Sequence, residues 1–137
     1  EKSVNELLKE EENFGIKEYK TYKDFAKKVY KIRDNVRKNV LKLKKNGTKI
    51  IGYGSPAKAT TALNFFGISN EIECIVEDNK LKQGKFLPGM KIPITSKEKI
   101  KGKPDYALVL AWNFIDEIKK KNNNLAHKFI SIKDLEE

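Results

Sequence analysis

The sequence predicts an α/β fold, namely a three-layer parallel sheet with helices on both faces, preceded by a long amphipathic helix. Apolar runs typical of buried strands alternate with helical stretches, which indicates a parallel sheet with right-handed crossovers. The segment Gly52–Lys58 (Gly-Tyr-Gly-Ser-Pro-Ala-Lys) follows one apolar run and opens a helix. Two carboxylates, Glu77 and Asp78, end the next apolar run. These features together are typical of a Rossmann-like fold.

The first part of the chain is predicted to be helical. Ser3–Asn13 has the pattern of a short polar helix that ends before Gly15, so residues 1–20 are interpreted as a linker or a short helix. Thr21 and Asp24 have the spacing of a capping box. Apolar residues then recur every three or four positions, which predicts a long amphipathic helix ending at Asn46-Gly47. They are Phe25, Val29, Ile32, Val36, Val40 and Leu43.

Residues 21–137 are predicted to form the folded domain, with strands and helices in alternation. Strands are predicted from runs rich in β-branched residues, and a near-continuous apolar run predicts a buried parallel strand. The end of a helix is predicted where a glycine follows it. Ile92-Pro93-Ile94 is expected at a sheet edge, because proline cannot donate within a central ladder. The predicted elements are strand Thr48–Tyr53, helix Pro56–Phe66, strand Glu71–Val76, loop Asp78–Lys91, strand Ile92–Ile94, strand Asp105–Trp112, helix Phe114–Lys121 capped by Asn113 and Asp116, and strand Lys128–Ile132.

Composition narrows the class of protein. A hydrophobic content of 39% over 137 residues is enough for one folded domain with a core. The single cysteine, Cys74, excludes an internal disulfide and a cysteine cluster for metal, and the single histidine, His127, excludes a histidine-rich metal site. No apolar run reaches the length of a membrane span and no signal-peptide pattern opens the chain, so the cytoplasm is the expected compartment.

The net charge of +10 is concentrated in one segment. Tyr22–Gly47 contains ten Lys or Arg residues against Asp24 and Asp34, a net charge of +8 for this segment. A solvated, lysine-rich helix face explains this charge, and binding to an acidic partner, a membrane surface or nucleic acid is the alternative. Without a zinc-finger or RNA-recognition motif, neither nucleic acid nor a membrane is expected as a partner.

The Gly-x-Gly-x-x-Ala pattern predicts a phosphate-binding turn. Glycine allows positive φ and a close approach of ligand to backbone, and free N–H groups at the start of the following helix attract an anion. Ser55 is expected to cap that helix, Pro56 to occupy its first turn and Lys58 to add positive charge. Glu77 and Asp78 stand where a dinucleotide fold has a carboxylate for ribose hydroxyls. The alternatives are glycines that only turn the chain and an Asx turn at Asp78-Asn79.

Four blocks of the sequence resemble the C-terminal domain of the sugar-nucleotide C-methyltransferases, enzymes that methylate a carbon of a nucleotide-linked keto-deoxysugar. The resemblance covers roughly Tyr22 to the C-terminus. Glu77 stands where family members often have Asp, which keeps a carboxylate in place. The blocks are Gly52–Thr61 (Gly-Tyr-Gly-Ser-Pro-Ala-Lys-Ala-Thr-Thr), Val76-Glu77-Asp78-Asn79 with Lys82-Gln83-Gly84-Lys85, Pro88–Ile94 (Pro-Gly-Met-Lys-Ile-Pro-Ile) and Ala111-Trp112-Asn113-Phe114.

The resemblance implies an accessory domain rather than a self-sufficient enzyme. In that family a zinc-binding region and a central S-adenosylmethionine domain precede this one and carry out methyl transfer. This domain is then expected to need no cofactor of its own, to hold the nucleotide-sugar substrate and to work beside the methyl-donor domain of the same chain. The residues expected to contact substrate are Gly52, Tyr53, Gly54, Ser55, Lys58, Glu77, Asp78, Lys82, Gln83, Lys85, Trp112 and Asn113.

Several of these residues have a second interpretation. Lys82 and Lys85 suit a diphosphate but also a solvated loop, and Gln83 suits a base or a sugar hydroxyl. Trp112 either stacks on a ring or closes the core, and Asn113 is a helix cap as well as a candidate ligand contact. The rival function from another class is an NAD(P)- or coenzyme A-binding module, which the same glycine motif and terminal carboxylate permit.

Overall fold

A computed structural model describes residues 2–45 and 47–137 of the chain. Within these residues the α-helices are α1 (Lys2–Phe14), α2 (Tyr19–Lys44), α3 (Ala57–Phe66) and α4 (Ile115–Lys121). The strands are β1 (Ile50–Tyr53), β2 (Ile75–Val76), β3 (Ile94–Thr95), β4 (Tyr106–Val109) and β5 (Lys128–Ile130). Short 3-10 helices lie at Ser69–Glu71, Lys97–Lys99, Trp112–Phe114 and Lys133–Leu135.

The chain divides into two compact units, one ending at Ile32 and the other formed by Arg33–Glu137. In the first unit, α1 corresponds to the predicted short helix and is followed by Gly15 at a φ of 74°. The Thr21 hydroxyl donates to the Gly15 carbonyl at 2.8 Å. The predicted capping box at Thr21 is therefore wrong, because α2 begins two residues earlier, at Tyr19. The predicted domain boundary at residues 20 and 21 stays a prediction.

The long helix α2 confirms the amphipathic helix predicted from the apolar spacing. It ends at Lys44, close to the predicted end at Asn46-Gly47, of which Asn46 lies outside the described residues. Its C-terminal half places Val36 and Val40 in the core, at 0% and 2% exposure. The amides of Asn35 and Asn39 donate to backbone carbonyls of the last three residues, so they tie this half to the C-terminus.

The second unit is an α/β domain around a five-stranded sheet in the order β3-β2-β1-β4-β5, with every neighbouring pair parallel. The chain runs outward from β1 to β3 and then returns to the other side of β1. Since parallel crossovers are right-handed, this reversal places α3 and α4 on opposite faces of the sheet. The predicted three-layer Rossmann-like fold is confirmed.

The strands are shorter than the apolar runs suggested. The β1 strand begins at Ile50 rather than Thr48, and Ser69–Glu71 forms a 3-10 helix where the second strand was expected to begin. The last strand ends at Ile130. The strand predicted at Ile92–Ile94 does lie at the sheet edge, but it is shifted to Ile94–Thr95, so Pro93 precedes it. The Pro93 carbonyl accepts from the Ile75 N–H at 2.8 Å.

Alternation along the strands divides the core into two layers. One layer contains Ile51, Tyr53 and Val109 and packs against Ile115 and Ile118 of α4. Residues that alternate with these along the strands, such as Ile50 and Leu108, face the opposite side of the sheet. The right-handed crossover from β1 to β2 places α3 on that side. There α3 contributes the buried Ala59, Leu63 and Phe66. No helix in the described part of the chain combines the length and apolar composition needed to span a membrane.

Leu63→Ala tests the α3 layer. Leu63 is 0% exposed, so we expect its truncation to lower the free energy of unfolding by about 2–5 kcal/mol. Leu81→Ala is the matched control, since Leu81 is 79% exposed and its loss should change stability by less than about 0.5 kcal/mol. Urea unfolding followed by circular dichroism measures both. Equal midpoints for the two variants would contradict the packing of α3 described above.

Candidate functional site

The reversal of strand order creates a crevice at the carboxyl ends of β1 and β4. In open α/β sheets ligands bind at this switch point. The loop after β1 contains Gly54, Ser55 and Pro56, and the loop after β4 leads into the 3-10 helix Trp112–Phe114. The glycine motif and the block around Trp112, separate in sequence, are therefore neighbours at one edge of the sheet.

Gly54 brings the two loops together. Its φ of 84° lies in the left-handed region, where side chains other than hydrogen are strained. A Cβ at this position would lie 3.1 Å from the Ala111 Cβ, tighter than an ordinary contact. Its N–H donates to the Val76 carbonyl at 2.8 Å. Gly54 is thus required for both the turn and the close approach of the β4 loop.

The structure corrects the predicted role of Ser55. Pro56 is the residue immediately before α3, and no side chain caps the helix. The prediction that Ser55 caps α3 is therefore wrong, and so is the prediction that Pro56 lies in its first turn. Both the Ser55 N–H, at 2.9 Å, and the Ser55 hydroxyl donate to Glu77 Oε2. The Glu77 carboxylate, at the end of β2, thus accepts the two Ser55 donors that were predicted to cap the helix or to bind an anion.

Glu77 is held as a carboxylate by these donors. Burial opposes its ionisation, but the hydrogen bonds from Ser55 and from the Asn79 N–H, together with the Lys82 charge, keep its pKa below the ordinary value. Its other oxygen, Oε1, accepts from the Asn79 N–H at 3.1 Å. Only 14% of the side chain is exposed.

Lys82 and Gln83 complete this connection through bonds to the Ser55 and Glu77 carbonyls. The Lys82 ammonium donates to the Ser55 carbonyl at 2.9 Å and lies 3.8 Å from Glu77 Oε2. The Gln83 amide donates to the Glu77 carbonyl at 2.7 Å. Lys85 is exposed, and its carbonyl accepts from the Ile94 N–H. The contacts predicted between these three residues and a substrate stay predictions.

Tyr53 belongs to a second polar chain. Its hydroxyl donates to Asp78 Oδ2 at 2.9 Å and accepts from the Asn122 amide at 3.0 Å. Burial, and then the hydrogen bond and charge of Asp78, raise the pKa of Tyr53 to about 12, so the hydroxyl stays protonated at neutral pH. Asn122, the residue after α4, was not predicted to belong to the site. Tyr53, 4% exposed, orients the exposed Asp78, and the contacts predicted between these two residues and a substrate stay predictions.

Lys58 and Trp112 meet at the switch point. The Lys58 ammonium lies 4.1 Å from the centroid of the Trp112 ring, a cation–π contact between α3 and the loop after β4. Lys58 belongs to the first turn of α3. In this turn the Ala59 N–H donates to the Pro56 carbonyl at 2.9 Å, whereas the N–H groups of Ala57 and Lys58 come too early in the helix to have an acceptor within it. Positive charge, helix dipole and an aromatic surface therefore coincide at one place.

An apolar groove of about 480 Å³ extends from this pair. Its walls include Ala62, Phe65 and Phe66 of α3, Trp112 and Ile132, and Lys58, Lys133 and Glu136 supply charge. This volume is within the range of small-molecule sites. Asn113 next to it is exposed and makes no cap for α4, which begins at Ile115 after Phe114; the predicted Asn113 and Asp116 cap is therefore wrong.

The predicted site residues thus fall into two groups. Gly54, Lys58 and Trp112 meet at the switch point, whereas Glu77, Asp78 and Gln83 line a separate cleft of about 340 Å³ with Lys97. Ser55 connects the two groups through Glu77. Gly52 lies within β1 and is buried, and its missing side chain leaves room for Ile75 Cδ1, 2.3 Å from where a Cβ would stand.

The engaged carboxylate bears on the rival dinucleotide interpretation. A dinucleotide fold needs the acid after the second strand to accept hydrogen bonds from ribose. Both oxygens of Glu77 already accept protein N–H or hydroxyl groups. Oε2 accepts two of these donors and Oε1 one, so only Oε1 keeps a lone pair for a ribose hydroxyl, which disfavours the rival.

Comparison with known proteins identifies related sequences. Residues 1–131 match the family described as the C-methyltransferase C-terminal domain. The chain is 42% identical over 118 residues to the C-methyltransferase NovU of Streptomyces niveus, an alignment that covers 85% of this chain. The same alignment spans 28% of the length of NovU, so the relative is a much longer protein.

Gly54→Ala tests the close approach of the two loops. Gly84→Ala is the matched control, because Gly84 has a similar φ of 79° but open space around it. Both changes carry the left-handed strain of about 1–2 kcal/mol. We expect Gly54→Ala to lose about 1–3 kcal/mol more through crowding against Ala111. The unfolding free energies from urea titration provide the comparison, and equal losses would show that the loops are not in tight contact.

Acidification tests the Glu77 carboxylate. Its folded-state pKa lies below the ordinary 4.5, so its stabilisation is fully present above pH 4.5 and is lost as the pH falls through the lower folded value. Glu77→Gln should therefore flatten the loss of stability below pH 4.5. Glu117→Gln, an exposed carboxylate of α4, is the control and should leave the pH profile as in the wild type. Identical profiles for wild type and Glu77→Gln would contradict the assignment.

Proposed function

The chain belongs to the C-methyltransferase C-terminal domain family, and we propose that it holds the nucleotide-sugar substrate of such an enzyme. The diphosphate lies at the N-terminus of α3 and the nucleoside enters the apolar groove. One observation carries the proposal: the Lys58 ammonium and the Trp112 ring meet at the mouth of a groove at the topological switch point. In open α/β sheets this switch point is where ligands bind.

The diphosphate end rests on electrostatics. The N–H groups of the first turn of α3 are aligned by the helix dipole, which attracts negative charge. Lys58 adds a full positive charge from the same turn, and Ser55 contributes no donor because Glu77 already accepts its N–H and hydroxyl. The anion is therefore bound one residue or more beyond the position that the glycine motif suggested.

The nucleoside end rests on shape and polarity. A flat ring is accommodated by the aromatic and aliphatic walls of the groove, and Trp112 offers a face on which it stacks. The Lys58 ammonium covers one face of Trp112, so the ring of the ligand stacks on the other face and Lys58 stays beside the phosphate. The sugar extends away from the groove, toward the part of the enzyme that carries out the chemistry.

Methyl transfer itself is assigned to other parts of a longer polypeptide. NovU, to which the chain is similar, is named a C-methyltransferase, and the matched segment is 28% of it. The S-adenosylmethionine and zinc implied by the family resemblance belong to those parts. Among the described residues no group of three or more His, Cys, Asp or Glu side chains could hold a metal ion. This domain binds and orients the substrate for a methyl-donor domain of the same chain.

Lys58→Ala tests this assignment. Loss of a charge-assisted hydrogen bond should weaken binding of thymidine diphosphate by about 1–3 kcal/mol, or roughly 5- to 150-fold in Kd. The fold should be unchanged, since alanine favours a helix. Isothermal titration calorimetry on the 137-residue chain measures the Kd.

Lys119→Ala supplies the matched control, because Lys119 is an exposed helical lysine in α4, on the other side of the sheet. Its affinity should equal that of the wild type. An unchanged Kd in Lys58→Ala would show that Lys58 is a surface lysine only. Binding of NAD or coenzyme A, with no heat from thymidine diphosphate, would make the dinucleotide module the better assignment.

A further inference from the structure

The apolar stripe of α2 is covered along only part of its length. Phe25, Val29, Ile32, Val36 and Val40 repeat at spacings of three and four, so they share one face of the helix. Val36 and Val40 are buried, but none of the described residues before Val36 is. Phe25 is 66% exposed. The stripe therefore continues from the core into a stretch of helix where Val29 and Ile32 are only partly buried and Phe25 is exposed.

Helix α1 carries a stripe of the same kind. Val4, Leu7, Leu8 and Phe14 follow helical spacing, with exposures of 58%, 55%, 55% and 72%. A helix of 13 residues is marginal in water without tertiary packing. The turn after it is ordered by the bonds that Thr21 and Tyr22 donate to the Gly15 and Ile16 carbonyls. Its connection is fixed, yet its apolar face is exposed, which is typical of an interaction surface.

We propose that the N-terminal helical segment, Lys2–Ile32, is the docking surface for the methyl-donor part of the same polypeptide. This inference rests on the proposed function, since it requires such a part. The family is described as a C-terminal domain, and the alignment spans 28% of NovU, so most of such an enzyme precedes the matched segment. The first helix of the domain is then the element nearest to it. A partner packed on the exposed apolar residues of this segment would continue the buried stripe of α2 to which Val36 and Val40 belong.

Amide hydrogen exchange distinguishes covered from uncovered helices. The experiment compares the 137-residue chain with the intact polypeptide that its gene encodes, residue by residue. We expect amides of α1 and of α2 up to Ile32 to exchange at least about tenfold more slowly in the intact protein. Amides of the sheet should change little. Equal rates in the helical segment of both proteins would overturn the proposal, as would a gene without a methyl-donor part.

Leu7→Asp in the intact protein places a charge in the surface. It should restore the fast exchange and lower the methyl-transfer rate by about tenfold or more, because the substrate-holding domain is no longer positioned. Leu41→Asp is the control, a leucine of α2 with 40% exposure that lies outside this segment. Its exchange and rate should match the wild type, and equal effects of the two variants would contradict the proposal.

Two further outcomes are informative. Slow exchange in the isolated chain that disappears on dilution would assign the surface to a second copy of this chain and overturn the proposal. Calorimetry with thymidine diphosphate on the Leu7→Asp chain should give the wild-type Kd. Failure of the wild-type chain to bind that nucleotide would count against the proposed function, whereas the exchange result alone decides the docking surface.

Discussion

The Glu77 carboxylate connects the ends of β1 and β2, and the arrangement of the candidate site depends on it. It accepts from the Ser55 N–H and hydroxyl on one oxygen and from the Asn79 N–H on the other. Lys82 closes the arrangement by donating to the Ser55 carbonyl. A buried carboxylate is costly unless its hydrogen bonds are complete, and here several donors hold it in the ionised form.

The hydrogen bonds from Ser55 to Glu77 determine which groups remain available to a ligand. Because Glu77 accepts the N–H and the hydroxyl of Ser55, the proposed binding groups lie farther along, at Lys58 and Trp112. The acid that a dinucleotide fold uses for ribose has a structural function here. Under the proposed function, the ligand places its anion at the N-terminus of α3 and its ring in the groove.

Sequence patterns predicted the parallel α/β fold well because burial is periodic and local. The apolar run at β4 and the left-handed glycine at Gly54 could both be recognised from their neighbours. Ser55 was misassigned because its acceptor is 22 residues away and competes with a plausible local cap. The role of Asn122 went unrecognised because its partner, Tyr53, is 69 residues distant. The predicted strands were too long for a related reason. A strand ends where its hydrogen bonds to the neighbouring strand end, and that neighbour is distant in sequence.

The fluorescence of Trp112 tests the central claim most directly, because it is the single tryptophan of the chain. Thymidine diphosphate is titrated into the protein while calorimetry on the same sample establishes that binding occurs. If the nucleotide occupies the crevice between Lys58 and the groove, the emission of Trp112 changes along a saturable curve with the calorimetric Kd. Heat of binding without any change in Trp112 emission would place the nucleotide elsewhere and contradict the account.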